Sequence, residues 1–298
     1  MNRRRFLTIS AAFAATPAFA RPPLREIRGQ AMGARVSLLL AHPDAEAVAG
    51  RALAEIARLE AIFSLYRDSA LVRLNRDGVL GAPPFELLDC LALCSRVHAA
   101  TEGLFDPTVQ PLWALHAATH SAGRPPSAAE LAAARDLTGW RDVVLDEAAV
   151  QLGRPGMALT LNGIAQGYIA DRIGDRLRAE GMTDVLVDTG ELRALGGRPG
   201  GGDWPVTLAE GQGTLSLRDR ALASSAPRGT VFDVEGKAGH ILDPRTGHPA
   251  EAPWRLVSVT GPSAALADAA STAFCLMDRP RIEAALARMP ELRLAALA

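Results

Sequence analysis

The sequence predicts an α+β fold, and three features predict it. Long segments with apolar residues at helical spacing fill the first half of the chain, and short β-branched runs between Gly, Pro and Asp dominate from Val143 onward. No linker or internal repeat divides the 298 residues, so one domain is expected rather than two. At 48% hydrophobic residues the chain can bury an extensive core, which excludes disordered and fibrous classes.

In chain order, Ala34 to Leu40 reads as a strand and Ala45 to Ile62 as a long amphipathic helix. The stretch FSLYRDSALVRLNRDG reads as a turn-rich loop, and Pro84 precedes a second helix, FELLDCLALCSRVHAA. Asp106-Pro107 breaks that helix, with a strand-like stretch resuming beyond it. Pro125 and Pro126 lead into a helix from Ser127 to Leu137. VVL, ALTL, VLVDTG, PVTLAEG, LSLRD and LVSVTG then read as strands. Among them Ile164 to Glu180 is a helix stopped by Gly181, and Gly196 to Pro205 is a hairpin loop. A helix from about Ala264 and a last helix and strand complete the chain.

The N-terminus, MNRRRFLTISAAFAATPAFA, combines Arg3, Arg4 and Arg5, an Ala-rich apolar run, and small residues at Ala18 and Ala20. This is a secretion signal, and the R-R-x-F-L pattern makes it a twin-arginine type. The expected division is therefore 1–20 as signal and 21–298 as the mature, soluble periplasmic protein. The formal charge of −1 becomes −1 − 3 = −4 without those arginines, and no basic run with interleaved aromatics follows, so nucleic-acid binding is excluded. Three cysteines, an odd number, do not make a disulfide framework. Cys90 and Cys94 share a helix face and have no further ligand at metal spacing, so they belong to the core.

P-loop, H-E-x-x-H and G-x-S-x-G signatures are absent. Four islands of small, acidic and hydroxyl residues remain. The first runs from Thr101 to Trp113 around Phe105 and Asp106, where a turn over a buried Phe is the structural alternative. The second, Leu159 to Asp171, takes a strand into a helix through Asn162-Gly163. Such a corner presents backbone groups to a phosphate or cation, although Asn162 as a simple cap is equally compatible. The third joins Ala223-Ser-Ser-Ala-Pro to a turn containing His240 and Asp243-Pro-Arg-Thr-Gly247. In the fourth, Asp268 and Thr272 lie four apart on one helix face, a carboxylate and a hydroxyl of the kind Mg²⁺ accepts beside substrate phosphates. The alternative there is an Asp favoured by the helix dipole.

Together and in this order, AMGARVSLLL, FSLYRDSALVRLN, EGLFDPTVQPLW, LNGIAQGYIADR, VDTGELRALG, SSAPRG with GHILDPRTGHP, and LADAASTAFCLM resemble the ApbE family of FAD:protein FMN transferases. The resemblance covers most of the chain from Met32 onward. It implies an α+β fold with a duplicated, T-fold-like core of antiparallel sheets and packed helices, binding FAD as substrate with Mg²⁺ at its pyrophosphate. Asp268 and Thr272 match side-chain Mg²⁺ ligands and the Gly163 carbonyl a third, while Ser271 stands where some members have another acidic ligand. Met32, Tyr66, Leu104, Phe105, Asp106, Thr160 and Gln166 match positions that contact FAD, and His240 and Ile241 match the segment that closes over it.

The chemistry implied is attack by a Thr or Ser hydroxyl of an acceptor protein on the FMN-side phosphorus, with AMP leaving. His240 or a nearby carboxylate is the candidate base, the sequence not choosing between them, and Asp268 is the catalytic cation ligand. Many members have Asp where this chain has Thr160, Lys or Glu at Gln166, and a second Gly at Glu191. The LNGIAQG variant resembles the subgroup that accompanies nitrous oxide respiration, whose acceptor is a membrane flavoprotein. Two other readings use the same pocket: a periplasmic FAD-binding or delivery protein, and a Mg²⁺-dependent FAD pyrophosphatase without acceptor transfer.

Overall fold

A computed structural model describes residues 7–9, 22–31, 33–251 and 253–298. The expected signal over 1–20 lies outside the described residues except for the backbone of 7–9, and Met32 lies outside them altogether.

The centre is a seven-stranded antiparallel sheet. In spatial order it comprises β13 (Arg293–Leu297), β12 (Val257–Gly261), β11 (Ala221–Ser225), β8 (Leu192–Leu195), β7 (Val185–Asp188), β3 (Ala34–Leu40) and β2 (Arg25–Ala31). Because successive side chains alternate between faces, Val36, Leu38, Leu40, Val185, Val187, Ala221 and Ala223 enter the main core on one side. Leu39, Leu186, Leu192, Ala194 and Leu222 enter a second core on the other. The main core is covered by helices: α1 (Ala45–Phe63), α3 (Phe85–Ala100), α6 (Ala165–Ala179) and α7 (Ala264–Phe274). The second is closed by β9 (Trp204–Leu208) and β10 (Thr214–Leu217), which form a three-stranded sheet with the backbone of β1 (Leu7–Ile9). A further small sheet joins β4 (Val79–Gly81), β6 (Ala149–Leu152) and β5 (Val143–Leu145). Helices α4 (Gln110–Ser121) and α5 (Ala128–Arg135) enclose a small separate core with Leu242, and α8 (Arg279–Arg288) precedes β13.

The α+β class with antiparallel sheets and packed helices is what the sequence predicts, and β3 has its predicted limits. Four local expectations differ. The stretch after α1 contains α2 (Ala70–Asp77): Ser69 accepts from Val72 N–H, Gly78 closes the helix at φ 71°, and Leu71 and Leu74 face the core. The stretch after Pro107 is α4 rather than a strand, with proline in its first turn, where the missing N–H costs nothing. ALTL forms no strand and pairs with none among the described residues. Instead the Asn75 amide serves both backbone groups of Leu159, at 2.7 and 2.8 Å. Gly196 to Pro205 is not a hairpin, because β8 and β9 belong to different sheets and the segment carries the chain from one to the other.

Candidate functional site

Helices α6 and α7 cap each other. No side chain of α6 caps its own N-terminus, and the Gly167 N–H there donates to Asp268 Oδ2 on α7 at 3.1 Å. In return, Asp171 on α6 accepts from the backbone of Ala264 (2.9 Å) and Ala265 (3.0 Å) and from the Ser263 hydroxyl (2.7 Å) at the start of α7. Each helix supplies the carboxylate that the other's orphan amides require. The two come so close that a Cβ on Gly167 would sit 2.3 Å from the Ala264 carbonyl oxygen. Asp171 also meets the buried Arg193, 3.3 Å away.

This crossing brings the second and fourth islands together. A Cβ on Gly163 would lie 3.0 Å from Thr272 Oγ1 and 3.5 Å from the Phe105 ring, so the corner, the α7 face and the first island meet at one place. Ser225, at the end of β11, adds its hydroxyl: Oγ lies 2.7 Å from Ser271 Oγ and 3.3 Å from Thr272 Oγ1. Ser271 in turn donates to the Asp268 carbonyl at 2.9 Å. Asp268 is only 5% exposed, and burial, reinforced by the charge of Asp171, pushes its carboxyl up to about 7 although the Gly167 N–H opposes this. Glu191, 8% exposed on the corner between β7 and β8, is likewise pushed up, first by burial and then by the charge of Asp268, while the Ser224 N–H it accepts at 3.1 Å acts the other way.

The other candidates divide. Gln166 is committed to the β7–β8 corner: its amide donates to the Thr189 carbonyl at 3.0 Å, and Thr189 Oγ1 donates to the Gln166 carbonyl at 2.8 Å. The Asp106 carboxylate accepts from the Thr108 N–H and hydroxyl at 2.8 and 2.5 Å and from Trp140 N–H at 3.3 Å, so it is occupied by local structure. Leu104 and Phe105 are buried beside it. Thr160 reaches the same region, its N–H donating to the Pro107 carbonyl at 2.8 Å. His240 lies on the segment returning from β11, where Gly239 presses on the Pro227 carbonyl. Its Nδ1 meets the Thr230 carbonyl at 3.0 Å, so Nδ1 is the donor of that bond. Ile241 is buried next to it, whereas Tyr66 stands 70% exposed on the α1–α2 connection. Asn162 is exposed and does not cap α6.

Among the described residues no three or more His, Cys, Asp or Glu side chains form a metal cluster. The Gly163 corner instead lies against a helix face that carries hard oxygens of mixed kind, the Thr272 hydroxyl and, one turn before it, the Asp268 carboxylate, and its own backbone is not covered by a Cβ. That set fits Mg²⁺, which takes few carboxylates and keeps places for water and phosphate. Ser225 and Glu191 are not among the site residues read from the sequence: Ser225 stands there only as a member of the third island, and Glu191 only as a departure from the family pattern.

The ApbE family model matches residues 32–297. A FAD:protein FMN transferase of Klebsiella pneumoniae is 32% identical over 235 residues, covering 73% of this chain and 71% of its own. Among solved structures, the apo flavinyl transferase ApbE of Pseudomonas stutzeri aligns with TM-score 0.79 and 29% identity over 92% of both chains. The ApbE protein of Thermotoga maritima aligns with TM-score 0.80 and 27% identity over 92% of this chain and 94% of its own.

Proposed function

This chain belongs to the ApbE family, and from that premise we propose that it is an exported FAD:protein FMN transferase that moves FMN from FAD to a Thr or Ser hydroxyl of an acceptor protein and releases AMP. The observation that carries the reading is the meeting of Gly163 with Thr272 on the helix face of Asp268, a glycine corner closed against oxygen ligands.

In this reading Asp268, Thr272 and the Gly163 carbonyl would hold Mg²⁺ beside the FAD phosphates. When bound, the ion would offset charge on the non-bridging oxygens and orient the phosphates. The Phe105 ring walls the corner, and residues 104–106 meet the dinucleotide through their backbone, since the Asp106 carboxylate is already occupied. His240 is the base. Its Nδ1–H is held by the Thr230 carbonyl, which presents Nε2 as the proton acceptor. The acceptor oxygen bonds to the FMN-side phosphorus, the bond to the AMP oxygen breaks, and the hydroxyl proton passes to Nε2.

The test is to incubate the protein with FAD, Mg²⁺ and a candidate acceptor domain, then weigh the acceptor. An increase by the mass of FMN is expected, and Asp268→Asn, which keeps an oxygen for Gly167 N–H, should slow labelling by about 10²-fold or more. AMP release with no labelling would identify a FAD pyrophosphatase, and FAD retained intact would identify a binding protein.

A further inference from the structure

We propose that Glu191 is a second carboxylate of the divalent-cation site, facing Asp268 across it; this rests on the reading of the site given above. The pleat sets its direction. Leu192 and Ala194 enter the core beneath β9 and β10, whereas Leu195 enters the helix-side core and Arg193 reaches Asp171 on α6. Glu191, two residues before Arg193, therefore points to the layer of α6 and α7.

Contacts on both sides then bring it to Asp268. On one side its Oε2 accepts from Ser224 N–H, and the next residue, Ser225, touches Ser271 and Thr272. On the other, the paired bonds between Thr189 and Gln166 hold the β7–β8 corner on the first turn of α6, one residue before the Gly167 amide that Asp268 accepts.

What singles out the pair is that no counter-charge among the described residues acts on it. The third buried carboxylate of this layer, Asp171, has Arg193 and three donors at the start of α7. Asp268 and Glu191 have one backbone N–H each, and the charges acting on them are acidic: Asp171 on the first, Asp268 and Asp188 on the second. Two buried carboxylates whose charges act on one another without a base are costly, and a divalent cation held by both removes the cost. Mg²⁺ accepts one or two carboxylates in such a site. The structural alternative is that Glu191 stays protonated and only buttresses β11.

Mn²⁺ binding, followed by loss of the free-ion EPR signal with and without FAD, separates these. Glu191→Gln preserves shape and the Ser224 bond while removing the charge, and should weaken Mn²⁺ binding about tenfold or more. Asp268→Asn should weaken it at least as much, and FAD affinity in EDTA should stay unchanged in Glu191→Gln. Wild-type Mn²⁺ affinity in Glu191→Gln with a loss in Asp268→Asn overturns the role of Glu191 and leaves the proposed function standing. Wild-type affinity in both variants removes the cation site itself. If Glu191→Gln does not fold, Glu191→Asp, with the charge drawn back, should still bind Mn²⁺ more weakly than wild type, and equal affinity overturns the proposal.

Discussion

Two glycines four residues apart do different work. Neither has a positive φ, so both are needed for space rather than for backbone freedom. At Gly167 the intruding Cβ would meet backbone, 2.3 Å from the Ala264 oxygen and 2.8 Å from the Ala265 nitrogen, and neither can move without separating α6 from α7. Gly167→Ala should therefore destabilise the protein by about 1–3 kcal/mol or more, seen as a fall in melting temperature. At Gly163 the nearest atoms belong to the Thr272 side chain, which can give a few tenths of an ångström. Gly163→Ala should melt near wild type yet lose most of its transfer activity, because the atom displaced is a proposed ligand. If the two variants exchange these behaviours, the distinction between packing glycine and site glycine is wrong.

Among the elements, α4 holds the segment that carries His240. Phe232 stands edge-on to Trp113 with centroids 5.4 Å apart and stacks with His116 and His120 at 5.3 and 6.0 Å. His116 Nε2–H donates to the Gly247 carbonyl at 2.8 Å, which leaves a buried Nδ1 with no hydrogen-bond partner. Burial holds its pKa below the ordinary 6.5, and the like charges of His120 and His248 act in the same direction, while the Gly247 carbonyl acts in the other. Asp233 is the acidic group that faces His120. The sign follows: below 6.5 the unfolded chain binds a proton that the folded chain refuses, so stability is present above that pH and is lost as pH falls through it. Denaturant melts between pH 5 and 7.5 should show this slope, and His116→Gln, which keeps a donor for Gly247, should flatten it.

At the scale of the molecule, helices cover one face of the central sheet and β9 with β10 cover the other, all from residues beyond 22. The backbone of residues 7–9 adds only an edge strand to β9. A chain beginning at Arg21, the form we propose for the periplasm, should therefore keep the far-UV circular dichroism of the full chain and melt within about 3 °C of it. A loss of about 10 °C would mean that the edge strand is part of the stable fold.

What the sequence determined by itself is local. Short apolar and β-branched runs set the strands, as in Ala34–Leu40, and helical spacing set α1, α3 and α6 to within a few residues. The joint order of the four islands carried the family resemblance and pointed to Gly163, Asp268 and Thr272. The same local view missed α2, whose short amphipathic turn lay among loop-like polar residues, and turned ALTL into a strand because an apolar run does not show that Asn75 takes the place of its partner. Only the tertiary structure decided that Asp268 caps α6 while Asp171 caps α7, that Ser225 reaches Thr272, and that no base among the described residues acts on Glu191. The physical reason is range: propensity and capping act within a few residues, whereas a buried charge is set by whatever side chain the packing of distant segments brings against it.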